Sequence, residues 1–249
     1  MPLFYQKPIL LCFEDHRNAA LRPANGYGFC AGANAAPLLV SEFAHAVRHY
    51  PIVFTDTASP ETVAVSGLRE GQNLFVASDG FWRAGAYVPA YLRRYPFIVT
   101  DFTEDARQLL AIDAACSRFT EIGASADDQP LFDDHGGPAP VTAQAMAFCN
   151  AFHQDYLRDH GFGRALLDRG LLRPRHADLR FPDNSRYTLD GFMVVDAEKF
   201  TALSDRDLLL DWHRRGWLAA VHLHLASMNN WEALLLLTTE RAETEQGAE

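Results

Sequence analysis

The chain has 249 residues, 48% of them hydrophobic and 12% aromatic, enough to fill a core, and 22 basic against 32 acidic residues leave a formal net charge of −10. That balance repels a phosphate backbone, and no Lys/Arg-rich run makes a local exception, so nucleic acid is excluded as the expected partner. Cys12, Cys30, Cys116 and Cys149 form no C-x-x-C pair and read as buried thiols of a reducing compartment. The first residues lack a basic stretch ahead of a long apolar one, and the apolar run 9–13 is far too short to span a bilayer. A cytoplasmic protein without membrane insertion is the expectation.

The run 9–13 has strand length. A Gly-, Ala- and Asn-rich loop follows, with a turn signal at Asn25-Gly26. A short helix is expected over 41–49, with Ser41 as its cap and Phe43 and Val47 on one face. Strands are expected at 52–54, 62–65, 74–76, 97–100 and 109–112. Their short separations favour antiparallel pairing over βαβ crossovers. An acidic, Gly- and Pro-containing loop spans 126–140. Beyond it, helical spacing predicts helices over 142–159 and 162–172, then a hairpin through 179–189 whose sheet 192–195 extends. Ser204-Asp205-Arg206-Asp207 has the form of a capping box opening a helix that Gly216 stops. Two more helices follow over 217–227 and 231–241, and 242–249 reads as a disordered acidic tail.

One internal similarity stands out. Arg48-His49-Tyr50-Pro51-Ile52-Val53-Phe54 and Arg93-Arg94-Tyr95-Pro96-Phe97-Ile98-Val99 share a basic or His lead, Tyr-Pro and three large apolar residues. Proline has no amide proton and pushes the residue before it toward extended geometry, so each reads as a helix or turn ending at Tyr and a buried strand starting at Pro. One such echo is not a repeat array.

The catalytic motifs are incomplete. Gly26-Tyr27-Gly28 through Gly32 misses the dinucleotide spacing by one residue and does not join a strand to a helix. His45 and His49 sit four apart, but the zincin Glu is replaced by Ala46. His176-Ala177-Asp178 with His222 or His224 has the form of a two-His-one-carboxylate iron site, although a helix over 217–227 turns the two later histidines to different faces. No G-x-S-x-G or Walker loop occurs. The Asp127-Asp128 and Asp133-Asp134 pairs lack a twelve-residue calcium loop and read as a solvated acidic loop.

The aromatic segment is richer. Phe81, Trp82, Tyr87, Tyr91 and Tyr95 crowd together with Arg83, Arg93 and Arg94, residue types that anchor recognition surfaces. This segment also carries a resemblance. Glu14-Asp15-His16, Leu21-Arg22, Glu42-Phe43, His49-Tyr50-Pro51-Ile52-Val53-Phe54, Asn73-Leu74-Phe75-Val76, Gly80 and Trp82 lead into Tyr87-Val88-Pro89-Ala90-Tyr91-Leu92-Arg93-Arg94-Tyr95-Pro96-Phe97. Ile112-Asp113, Leu131-Phe132-Asp133, Leu189-Asp190-Gly191, Val195-Asp196, Leu203-Ser204-Asp205, Gly216 and His224-Leu225-Ala226-Ser227-Met228 complete the order. With these blocks the chain resembles the SapC family of bacterial proteins. The resemblance implies an accessory protein, of a kind sometimes encoded beside outer-membrane uptake receptors and flavin halogenase-like proteins. The family name implies a surface-layer role. It brings no catalytic residues, and its blocks include His16 and His49.

The expected fold is therefore α+β: one domain over residues 1–241, β-rich over 1–125 and mostly helical over 141–241, with a largely antiparallel sheet from the N-terminal half packed with C-terminal helices. The expected function is that of a non-enzymatic cytoplasmic binding or accessory protein for a peptide, protein or sugar-like partner, with a homo-oligomer left open. Its binding residues would be Trp82, Tyr87, Tyr91, Arg93, Arg94, Tyr95, His16 and His49, with no metal and no cofactor. The alternatives are a metal-dependent enzyme built on the His176 set and a surface-layer structural protein.

Overall fold

A computed structural model of the protein describes residues 2–23, 26–101, 108–180 and 186–246, with the backbone alone at 101, 108, 177–180, 186–188 and 244–246. The turn expected at Asn25-Gly26 lies partly outside these residues, as do the tip of the 179–189 hairpin and residues 247–249. The first elements are β1 (Pro8–Leu10), α1 (Phe13–His16), β2 (Ala19–Leu21), β3 (Ala35–Pro37), α2 (Phe43–Ala46), β4 (Ile52–Thr55) and β5 (Thr62–Val65). Next come α3 (Ala90–Arg93), β6 (Phe97–Asp101), β7 (Gln108–Asp113), β8 (Phe119–Glu121), β9 (Gln129–Pro130) and α4 (Pro140–Asp159). The chain continues through α5 (Phe162–Asp168), β10 (Leu172–Arg180), β11 (Arg186–Val195), α6 (Ala197–Thr201), α7 (Arg206–Arg214), α8 (Trp217–Ser227) and α9 (Asn230–Gln246). Antiparallel sheets accompanied by helices make the fold α+β.

Side chains explain where the structure departs from sequence pattern. Residues 74–76 form a turn and an isolated bridge, Val76 to Trp82, not a strand. Asn73 bends the chain there, its Oδ1 accepting the Phe75 N–H at 3.0 Å and its Nδ2 donating to the Cys30 carbonyl at 3.2 Å. The 41–49 helix shrinks to α2, preceded by a 3-10 turn over Val40–Glu42. Its cap is not Ser41: Glu42 reaches back and accepts the Leu39 N–H at 2.9 Å. Asp205, one residue after Ser204, caps α7 by accepting the Leu208 N–H at 3.1 Å. Gly216 (φ 74°) lets α7 end and α8 begin at once, a left-handed step that a side chain disfavours. α9 continues to Gln246, past the expected end at 241.

The chain divides into two compact units, each built from two separated stretches: 1–26 with 91–157, and 27–90 with 158–249. The first unit has two antiparallel three-stranded sheets, ordered β1-β7-β6 and β8-β2-β9. Leu21, Phe97, Leu110, Ile112, Leu131 and Cys149 form a core there, with Ala145 and Met146 of α4 against it. The second unit has one antiparallel five-stranded sheet, ordered β10-β11-β4-β5-β3. Phe43, Tyr50, Ile52 and Phe54 pack there with Phe162, Leu166, Trp212, Trp217, Val221 and Leu234 from the helices. Burying a large apolar side chain contributes roughly 1.5–3 kcal/mol, so this cluster dominates the stability of its unit.

The Tyr-Pro echo proves to be the visible part of a longer structural repeat. β4 pairs β5 with Ile52 opposite Ala64, and β6 pairs β7 with Phe97 opposite Ile112. β3 joins the far side of β5 with Ala36 opposite Ala64, and β1 joins β7 with Ile9 opposite Ile112. Strand order, direction and register are the same. Hydrogen bonds beyond the strands repeat as well. Pro51 C=O accepts from Val65 N–H and Pro96 C=O from Asp113 N–H, each at 2.9 Å. Leu38 donates to Thr62 as Leu11 does to Leu110, and Ser66 donates to Asn34 as Ala114 does to Lys7. In each case Tyr-Pro links a short helical turn to the first strand of a hairpin.

Candidate binding site

The eight residues expected to bind are shared between the two units: His16, Tyr91, Arg93, Arg94 and Tyr95 in the first, His49, Trp82 and Tyr87 in the second.

In the second unit they are tied into the protein. Tyr87 donates its hydroxyl to Glu42 Oε1 at 2.8 Å, and its carbonyl accepts the Tyr50 hydroxyl. Its ring stacks on His45, centroids 5.2 Å apart. The Glu42 carboxylate, buried, also accepts the Ala90 N–H at 2.7 Å, so one side chain fixes both ends of the 87–90 segment. Trp82 stacks on Phe75 at 5.9 Å and meets Tyr27 edge-on at 5.3 Å. Its buried Nε1 has no acceptor in hydrogen-bond geometry, although it interacts with the Tyr50 hydroxyl. His49 is half-buried against Tyr50, and burial with the neighbouring Arg48 charge lowers its pKa. Tyr50 is the hub: fully buried, 4.5 Å from Phe75, its hydroxyl pKa raised by desolvation. These aromatics form a wall of the core.

In the first unit the cluster is a cation among rings. The Arg94 guanidinium lies 4.0 Å from the Tyr91 ring centroid, 4.5 Å from Phe152 and 5.9 Å from Tyr5. Its Nε is buried with no hydrogen-bond partner. Arg93, on the preceding turn and exposed, lies over Phe148 at 5.1 Å. Tyr91 donates to the Leu3 carbonyl at 3.2 Å, and Tyr95 donates to Asp113 Oδ2 at 3.2 Å. Asp113 has no exposed surface and also accepts the N–H groups of Gln6, Lys7 and Ala115 at 3.0, 2.7 and 3.2 Å. Burial alone would raise its pKa; those three amides and the Tyr95 hydroxyl outweigh it and hold the carboxylate below its ordinary value. His16 serves its own turn, Nδ1 facing the Cys12 N–H at 3.3 Å and the Cys12 carbonyl at 3.0 Å.

His224 cannot serve as an iron ligand. It is fully buried, its Nε2 accepts the Val195 N–H at 3.0 Å, and its Nδ1 faces the Ile52 carbonyl at 2.7 Å as donor. Both ring nitrogens are used to clasp β11 and β4. Desolvation lowers its pKa to about 4, which keeps the ring in the neutral form this geometry needs. His222 points to the other side of α8, exposed and edge-on to Phe200 at 5.4 Å. His176 lies exposed on β10, and the side chain of Asp178 is outside the described residues. Among the described residues, no group of three or more His, Cys, Asp and Glu is placed to hold a metal ion. The thiols of Cys30 and Cys149 are pushed up by burial to about 12 and about 11, the reverse of an activated nucleophile.

Sequence reasoning missed the buried polar anchors Glu42, Asp113, Tyr5 and His224. Glu42, Asp113 and His224 each sit inside a block that carries the family resemblance, which was the available signal. No curated protein and no solved structure matches the chain. The family model for SapC matches residues 11–234 of the 249, and all three of these anchors fall within that span. The chain belongs to the SapC family.

Proposed function

We propose that the protein is a non-enzymatic accessory protein of the cytoplasm that binds a peptide or protein partner through the first unit. The observation that carries this reading is the Arg94 guanidinium, set among Tyr91, Phe152 and Tyr5 with a buried Nε left unpaired, beside an exposed Arg93. Arginine and tyrosine in a partly desolvated cluster are the residue types that concentrate binding energy at protein interfaces. Four unpaired cysteines support the cytoplasmic placement. No helix among the described residues is long and apolar enough to cross a membrane.

The test is affinity capture with the wild-type chain and with a folded Arg93→Ala variant, compared by mass spectrometry. Loss of specific partners from the variant is the expected result. An identical partner set from both proteins sinks the reading. Arg93 suits this because its truncation leaves the buried contacts of Arg94 in place.

A further inference from the structure

The first unit's cation–aromatic cluster is covered in part by the chain's own segment 2–10. Tyr5 is its anchor: 3% exposed, ring edge-on to Tyr95 at 5.3 Å, hydroxyl donating to the Phe97 carbonyl at 2.6 Å. Phe4 packs edge-on against Tyr91 at 6.2 Å. The remaining grip falls on main chain. Tyr91 donates to the Leu3 carbonyl, Asp113 takes two successive amides, Gln6 and Lys7, and β1 then pairs with β7. Main-chain bonds along a sheet edge, with a lodged aromatic ring, are the way proteins read an extended peptide.

Three features mark the segment as an occupant that can leave. Tyr5 is its one fully buried side chain among the described residues: Phe4 and Ile9 are half-buried, Gln6, Lys7 and Pro8 are exposed, and so are Leu3 and Leu10 at 49% and 41%. Segments with few buried apolar contacts open locally well before the whole fold does. Phe4 adopts φ 74°, a left-handed conformation unfavourable for a bulky side chain, so the segment docks under strain. It also meets the guanidinium with a neutral tyrosine hydroxyl and no acid, while the buried Nε has no hydrogen-bond partner.

Resting on the binding reading above, we propose that the groove formed by Tyr91, Arg94, Tyr95, Asp113 and the β7 edge takes an extended acidic–aromatic peptide of a partner protein. An aromatic side chain takes the place of Tyr5, a neighbouring carboxylate pairs with Arg94, and the backbone adds to β7. The chain's own segment 2–10 is the internal competitor that holds the groove until such a peptide displaces it.

Two fluorescein-labelled nonapeptides test this on the full chain: the sequence of residues 2–10, and the same sequence with Phe4→Glu. Binding is read by anisotropy to the wild-type chain and to Tyr5→Ala, whose own segment docks poorly. Tyr5→Ala should bind both peptides at least tenfold tighter than wild type. The Phe4→Glu peptide should bind at least threefold tighter than its parent, and Arg94→Ala should erase that preference. Equal binding to wild type and Tyr5→Ala, or no preference for the acidic peptide, overturns the proposal. Should Tyr5→Ala not fold, hydrogen exchange on the wild-type chain decides. Excess Phe4→Glu peptide should speed exchange of the Gln6 and Lys7 amides at least threefold with Ile98 and Ala111 unchanged. Unchanged Gln6 and Lys7 rates overturn the proposal. If the peptides fail while Arg93→Ala still loses partners in affinity capture, only the groove falls and the binding reading stands.

Discussion

The two Tyr-Pro elements start from nearly the same residues and the same register, yet their outward edges are finished in different ways. Residues 52 and 97 occupy equivalent places, each turning its carbonyl away from the hairpin partner. In the second unit His224 of α8 meets the Ile52 carbonyl and Ser227 accepts the Ile52 N–H at 2.9 Å, all fully buried. In the first unit the Phe97 N–H folds back on the Arg94 carbonyl at 2.8 Å, and its carbonyl accepts the hydroxyl of Tyr5. The β4 edge is met by a core helix and continued by β11 and β10, whereas at β6 the Tyr5 hydroxyl reaches the Phe97 carbonyl from a short and mostly exposed segment that pairs with β7. A repeated local motif thus specifies the hairpin and leaves its neighbours to be chosen by tertiary packing. The copy in the second unit is closed by buried core groups; the copy in the first unit is closed by the hydroxyl of Tyr5.

The largest way to break this contrast is His224→Ala. It leaves the Ile52 carbonyl and Val195 N–H buried without partners and opens a cavity, so a loss of about 3–4 kcal/mol is expected in urea denaturation. All four tryptophans lie in the second unit, so their fluorescence follows that unit. The same residue sets an acid limit. Its folded pKa, about 4, lies below the ordinary 6.5, so the unfolded chain binds the proton first as pH falls. Its contribution is whole above 6.5 and drains between 6.5 and about 4, on the order of 3 kcal/mol. A pH series of urea midpoints for the wild-type chain and His224→Ala should converge across that window; parallel curves would refute the assignment.

Next in size is Asp113→Asn in the first unit. An amide side chain presents N–H to a site made of N–H donors, and roughly 2 kcal/mol should be lost, seen as faster exchange of the Gln6 and Lys7 amides. Asp113 has a depressed pKa, so the stability it carries is held at and above its ordinary 3.8 and lost only as pH falls below that value. Acid should therefore weaken the tryptophan-bearing unit first, and the Gln6 and Lys7 amides should stay protected at pH 5. The smallest effects separate the two tyrosines. Tyr50→Phe removes the hydroxyl that the Tyr87 carbonyl accepts from a fully buried ring and should cost about 1–2 kcal/mol. Tyr95→Phe removes one of four donors from Asp113 at a half-buried position and should cost about 0.5 kcal/mol. Equal costs would erase the contrast between the two copies.

Much of the fold was legible in the chain itself. The strands at 52–55, 62–65, 97–101 and 108–113 follow from β-branched and apolar runs bounded by proline and turns, and α8 coincides with its expected 217–227 span. The misreadings share a cause. At 74–76 the apolar run has strand composition, but the Asn73 side chain turns the backbone, a choice that residue types alone do not reveal. At 41–49 the helical spacing is present, but Glu42 spends its carboxylate on Leu39, Tyr87 and Ala90 and the helix closes after one turn.

The candidate site was legible as a list and not as an arrangement. The density of Tyr, Trp and Arg between 81 and 95 marked a segment of interacting rings and cations, yet composition cannot tell a ring packed inward from one offered outward. Trp82 and Tyr87 became core wall, while Tyr91, Arg93 and Arg94 became a cation–aromatic cluster. By itself the sequence determined the α+β class, the antiparallel hairpins, the net negative charge and the family, because periodicity, proline and net charge act locally or in sum. Tertiary structure alone decided that the Tyr-Pro echo is a full strand repeat, that His224 is a clasp and no ligand, and that Phe4 and Tyr5 pack beside Tyr91 and Arg94. Those outcomes depend on which distant groups satisfy each buried carbonyl and amide, and such pairings leave no local trace in the chain.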